Sequence, residues 1–279
     1  MIASYENFLL VTDMDGTIIG TNERISEENK EALREFTKRG GKFAVATGRT
    51  PSNAAAFLKE LAVNTPCIFY NGAMLYDWRK KEILRTAPLE GELWREFAAE
   101  LLRRFPEACV EAYTAEMCYV LSDPANDDPR LESERQVYRH ASLEEVREEE
   151  WLKLFICAAR PVEQAMLETA EEMGIFAIAD HFYSSTTYLE FVRRGTSKGT
   201  MLEQLRRLPE NQERIVVAAG DYGNDTEMLR RADCGVAPAN ADAGTKAAAN
   251  FLGVNCDEHL VQQIVCEVMP KLLEEQSKG

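Results

Sequence analysis

No stretch of this chain approaches the roughly 20 consecutive apolar residues that a bilayer-crossing helix needs. The opening MIASYENFLL has neither the basic start nor the long apolar block of a signal peptide, so no membrane partner is expected and cytoplasmic residence is. Positive charge is in deficit: 32 Lys and Arg stand against 47 Asp and Glu, a net charge of −15. Such a chain repels the phosphate backbone of a nucleic acid overall, and no nucleic-acid partner is expected. Histidine is scarce, with His140, His181 and His259 alone, and none stands in ligand spacing, which argues against a zinc site. The seven cysteines, Cys67, Cys109, Cys118, Cys157, Cys234, Cys256 and Cys266, form no C-x-x-C pair and read as reduced thiols used as small core residues. Internal repeats and segments of biased composition are missing too.

What is present is an ordinary globular mixture, 45% apolar and 28% charged over 279 residues, long enough for one large domain or for a core with a smaller insertion. Short apolar runs alternate with helix-period segments, the pattern of an α/β doubly wound parallel sheet. FLLVT (8–12) reads as the first strand and SEENKEALREFTKRG as a helix capped by Ser26 and ended by Gly40 and Gly41. KFAVAT (42–47), a helix from Pro51 and the strand CIFYN (67–71) follow. From about 86 to 187 the character changes: MCYVL, LKLFICA and GIFAIA read as strands of a separate sheet, with helical stretches at 90–104 and 161–173. This predicts an inserted α+β domain over 86–187, with 1–85 and 188–279 forming the core. Within it, the acid run LEEVREEEW reads as a solvated helix face.

In open α/β sheets ligands bind outside the carboxyl ends of the strands, and those positions carry the chemistry. The first strand ends in DMDGT, with Asp13 and Asp15; the second in TGR, with Thr47 and Gly48; and the strand after the insertion in GDYGND, with Asp221, Asn224 and Asp225. TSKG places Lys198 at the start of a helix. Each motif has a plain alternative: a turn for Asp-Gly, helix capping for GDYGND, a surface role for Lys198. A calcium loop counted from Asp13 fails, because Ile18 falls where Gly is needed and Arg24 where Glu is needed. Together, a carboxylate nucleophile (Asp13), an acid/base carboxylate (Asp15), oxygen ligands suited to Mg²⁺, a hydroxyl and a lysine match phosphoryl transfer, where positioning and charge neutralisation carry most of the catalysis.

On these residues the chain resembles the haloacid dehalogenase superfamily: DMDGT as its first motif, TGR as its second at Thr47, Lys198 in GTSKG as its third and GDYGND as its fourth. The NGA at 71–73 and the insertion between the second and third motifs resemble the Cof-type phosphatases with an α+β cap, class IIB. The resemblance implies a Rossmann-like core, a cap, and Mg²⁺-dependent hydrolysis of a small phosphomonoester such as a sugar phosphate. It also implies an aspartyl-phosphate on Asp13, proton transfer by Asp15, metal ligation by Asp13, the Asp15 carbonyl, Asp221 and Asp225, and phosphoryl binding by Thr47, Gly48, Lys198 and Asn224. Phosphomannomutases share the motifs and the cap class, so transfer back to a sugar is one alternative. A non-catalytic regulator that binds a phosphorylated metabolite is another. Substrate choice would belong to the cap, where His181, Tyr183 and Tyr188 are candidates beside plain core or surface roles.

Overall fold

The structure is a computed structural model and describes residues 4–133, 136–184 and 186–276. It begins with β1 (Phe8–Thr12), all five residues buried. In α1 (Glu27–Lys38) the Ser26 side chain accepts from the Asn29 amide, while Leu33 and Phe36 go inward, as a cap followed by helix-period apolar residues requires. Next come β2 (Lys42–Val45), α2 (Pro51–Leu58), whose Pro51 follows the Thr50 cap, β3 (Cys67–Phe69), β4 (Met74–Asp77) and β5 (Glu82–Thr86).

The second stretch contains α3 (Leu93–Arg104), β6 (Cys109–Tyr113), β7 (Cys118–Val120), α4 (Arg130–Ser133), β8 (Tyr138–His140), β9 (Lys153–Cys157), α5 (Arg160–Glu172), β10 (Ala179–Tyr183) and β11 (Tyr188–Arg193). The chain closes with α6 (Lys198–Arg206), β12 (Ile215–Ala219), α7 (Thr226–Arg231), β13 (Cys234–Ala237), α8 (Ala243–Ala248), β14 (Phe251–Leu252), α9 (Leu260–Gln263) and α10 (Met269–Gln276). A single π-helical turn, Ile264–Val268, joins the last two helices.

Two compact units result, one of residues 1–84 and 197–279 and the other of residues 85–196. The first holds a parallel five-stranded sheet in the order β14-β13-β12-β1-β2. Strand order reverses between β1 and β12, so the crossovers on the two sides of that point run in opposite directions along the sheet. This is the expected Rossmann-like arrangement, with its switch point between β1 and β12. The third expected strand departs from the pattern. β3 pairs antiparallel with β4 and touches β2's continuation through one bridge, Ala46 to Ile68. Tyr70 and Asn71, read as its last two residues, instead take left-handed backbone at φ +52° and +54°.

The second unit is a six-stranded sheet, β10-β11-β9-β6-β7-β8, with a core of its own in which Trp94, Phe97, Val110, Leu154, Met166 and Phe191 are buried together. Three expectations change here. β11 belongs to this sheet through pairing with β9 and β10, so the return to the first unit falls at Ser197 and not at 188. GIFAIA is not a strand: Gly174 has φ +72° and Ile175–Ala177 form one 3₁₀ turn before β10. LEEVREEEW forms turns rather than a helix. Short apolar or acidic runs lack the length that separates helix from strand or turn by periodicity.

Candidate active site

The register Thr12 to Ala219 and Thr12 to Val45 puts the ends of β1, β12 and β2 side by side, so the residues that follow each strand emerge on one edge. Asp13 continues β1 and its amide donates to the Ala219 carbonyl at 2.8 Å. The chain then doubles back, because the Met14 carbonyl accepts from the amides of Thr17, Ile18 and Ile19. That turn needs Gly16, at φ +74°, where a Cβ would overlap the Asp221 carboxylate. Gly16→Ala therefore loses on the order of 1–3 kcal/mol of stability from backbone strain alone, measured by denaturant unfolding, and displaces Asp221. An alanine variant as stable as the parent would show that this contact is easily relieved. Asn240 Nδ2 donates to the Gly16 carbonyl at 2.8 Å and ties down the outside of the turn.

Ser197 caps α6, and the first residue inside the helix is Lys198. Its side chain is 1% exposed, and its Nζ donates to Asp13 Oδ1 at 2.6 Å and to Asp225 Oδ1 at 2.7 Å. The other oxygen of Asp225 accepts the amides of Asp221 and Tyr222 at 3.1 and 3.3 Å. Asp225 thus shapes the loop that presents Asp221, whose Oδ1 accepts from Thr17 Oγ1 at 3.4 Å. One carboxylate oxygen from each of Asp13, Asp221 and Asp225 lies within 4.8 Å of the others.

Electrostatics follow from burial. The Asp13 carboxyl is pushed well above the usual range, first by loss of water and then by Asp225, against the pull of Lys198. Asp221 is pushed up to about 6 by the same causes in the same order. Burial disfavours the Lys198 ammonium, yet the two carboxylates outweigh it and hold the lysine above its usual range. One ammonium for three carboxylates leaves the cluster short of positive charge. Its oxygen-only donors suit a hard divalent cation, so the residues fit the metal that the motifs imply.

The remaining predicted residues divide. Thr47 is buried, follows β2, and its Oγ1 accepts from the Arg49 amide at 3.1 Å. Gly48 lies against the Asn71 amide, and Asn224 Nδ2 donates to Asn71 Oδ1 at 3.0 Å. Asn224 therefore bonds toward the β3 end, and its turn, Gly223–Asp225, is 3₁₀ rather than the start of an α-helix. The Asp15 carboxylate stands outside the three-carboxylate group, bound at both oxygens by Arg49. In the second unit, the His181 ring lies against Phe176 and Phe191 at 5.0 and 6.0 Å. Tyr183 lies under Arg160, and the Tyr188 hydroxyl donates to Asp128 at 3.3 Å.

Sequence reasoning quoted TGR and NGA as motifs but gave no role to Arg49 or Asn71. The signal for Arg49 lay in TGR itself, since an arginine just after a strand end is the side chain best shaped to grip a neighbouring carboxylate. Asn71 could be found only as a residue tolerant of left-handed backbone in NGA.

A family model described as haloacid dehalogenase-like hydrolase matches residues 10–264. The pyridoxal phosphate phosphatase YbhA of Escherichia coli is 27% identical over 92% of this chain and 97% of its own. The chloroplastic endoribonuclease YBEY of Arabidopsis thaliana is 30% identical over 88% of this chain, but the match spans 44% of that protein. A solved structure described as the HAD subclass IIB sugar phosphatase BT4131 superposes with a TM-score of 0.76 at 20% identity, covering 94% of this chain and 98% of that one. Among the described residues no helix is long and apolar enough to cross a membrane.

Proposed function

The chain belongs to the haloacid dehalogenase-like hydrolases, as a Cof-type class IIB phosphatase, and is a phosphoric monoester hydrolase; from that premise we propose a Mg²⁺-dependent reaction on small phosphorylated metabolites through an aspartyl-phosphate. The observation that supports this reading most is Lys198 bridging Asp13 and Asp225 within the three-carboxylate cluster.

In this scheme Asp13 attacks phosphorus, and the bond to the leaving oxygen breaks as Asp15 gives that oxygen its proton. Asp15 then takes a proton from water, whose oxygen attacks phosphorus and frees Asp13. Lys198 holds Asp13 in line and offsets phosphoryl charge, with Thr47, Gly48 and Asn224 offering donors to the phosphoryl oxygens. Asp13, Asp221, Asp225 and the Asp15 carbonyl would hold Mg²⁺, which when bound supplies Lewis-acid neutralisation of phosphoryl charge. The unit of residues 85–196 acts as the cap that selects the leaving alcohol. Names carried by relatives, pyridoxal phosphate phosphatase and sugar phosphatase, define the substrate class to try first.

Purified protein with Mg²⁺ is expected to release inorganic phosphate from members of a panel of sugar phosphates and pyridoxal phosphate. EDTA should stop the release and excess Mg²⁺ restore it. Release indifferent to chelation would remove the metal from the scheme. Transfer only to a second sugar, dependent on a bisphosphate activator, would replace hydrolysis by mutase chemistry.

A further inference from the structure

Asp15 is gripped rather than free. Its side chain is 53% exposed, yet both oxygens lie in one fork: Arg49 Nε donates to Oδ2 and Nη2 to Oδ1, each at 2.8 Å. The fork is itself fixed from two directions. The Arg49 amide donates to Thr47 Oγ1 at 3.1 Å, and the guanidinium lies over the Phe57 ring of α2 at 5.2 Å. Two parallel N–H···O bonds fix the plane of a carboxylate.

On the scheme above, on which this step rests, Asp15 changes charge twice, and the two changes are opposite. Negative charge appears on it when its proton goes to the leaving oxygen, as the bond from phosphorus to that oxygen breaks and the bond to Asp13 forms. The charge disappears again when Asp15 takes a proton from the hydrolytic water. A fixed guanidinium helps the first change and not the second. We infer that Arg49 is the positioning residue of the first transfer: it aims the Asp15 carboxyl and stabilises the charge left behind once the alcohol has been protonated.

Leaving-group dependence tests this. With Mg²⁺ present, kcat/KM reports steps up to release of the alcohol. An alkoxide cannot leave without a proton, whereas 4-nitrophenolate can. Arg49→Met should lower kcat/KM for an alkyl phosphate by about 100-fold or more, within the usual span of general acid catalysis, and for 4-nitrophenyl phosphate by less than about threefold. Arg49→Lys keeps a cation that cannot span both oxygens, and should recover roughly tenfold of the alkyl loss. Both esters are assayed on one preparation, so partial unfolding lowers both alike and cannot imitate the split. If the methionine variant fails to fold, the lysine variant still shows the split in smaller form.

Equal losses on the two esters, or no loss on either, overturn the role of Arg49 while the phosphatase reading stands. Wild-type protein inert toward both esters overturns the phosphatase reading and this role with it.

Discussion

Asp13→Asn is expected to lower phosphatase turnover by at least about four orders of magnitude while the metal-free protein melts at or above the wild-type temperature. The amide is nearly isosteric, but a far poorer nucleophile, and a residue that forms the covalent bond accounts for losses of this size when removed. The stability half of the prediction comes from charge. Folding raises the Asp13 carboxyl above its usual range, so the native state holds a proton at pH values where the unfolded chain has released it. Such a group costs stability once pH exceeds its unfolded value, and the neutral amide removes that cost while Lys198 keeps Asp225 as its partner. The same sign applies at Asp221, raised from 3.8 to about 6: without metal, stability contributed by this group falls as pH climbs through that window and is level above it. Phosphate release and thermal melts in EDTA check both halves. Turnover within tenfold of wild type would end the role of Asp13 as nucleophile.

Lys198→Met should do the opposite to stability. The ammonium is buried between Asp13 and Asp225, and taking it away leaves the fully buried Asp225 carboxylate without its counter-charge and Asp13 without its donor. Breaking a buried ion pair from one side costs about 3–5 kcal/mol, on the order of 10 °C in melting temperature for a chain of this size. Turnover should also be lost. Because Lys198 is held above its usual range, its contribution is complete below the ordinary lysine value and fades only as pH rises beyond it. A second measurement separates this account from simple loss of packing: added Mg²⁺ should raise the melting temperature of the methionine variant more than that of the wild type, since a cation replaces the missing charge. An EDTA melt within about 2 °C of wild type, on the same scale, would show that the carboxylates do not depend on Lys198.

Much of this was legible in the residues. Asp13, Thr47 and Asp221 follow apolar strands, and parallel strands in a doubly wound sheet bring their carboxyl ends together. Lys198 follows a serine cap, so its place at a helix start was legible as well. The rest depended on information that periodicity does not carry. Arg49 stands in a loop, and nothing in TGR says which carboxylate it will bind. Asn224 stands in GDYGND, but nothing in that motif shows that the 3₁₀ geometry of Gly223–Asp225 sends its amide to Asn71. The return to the first unit was misplaced because YLEFVR (188–193) is a strand in either sheet; only its partners, β9 and β10, decide.

The pairing of β1 with β12 joins Phe8 to Ile215, and it sets an order of events during synthesis. A ribosome that has made β1, β2 and the whole of residues 85–196 has not yet made β12, the strand on the other side of β1 from β2. The inserted unit is contiguous and carries its own sheet and core, whereas the sheet that bears Asp13 must wait for the last third of the chain. Until then Asp13 has neither Lys198 nor Asp225 beside it. Asp13 is translated before the whole inserted unit, and its surroundings assemble only after that unit is made.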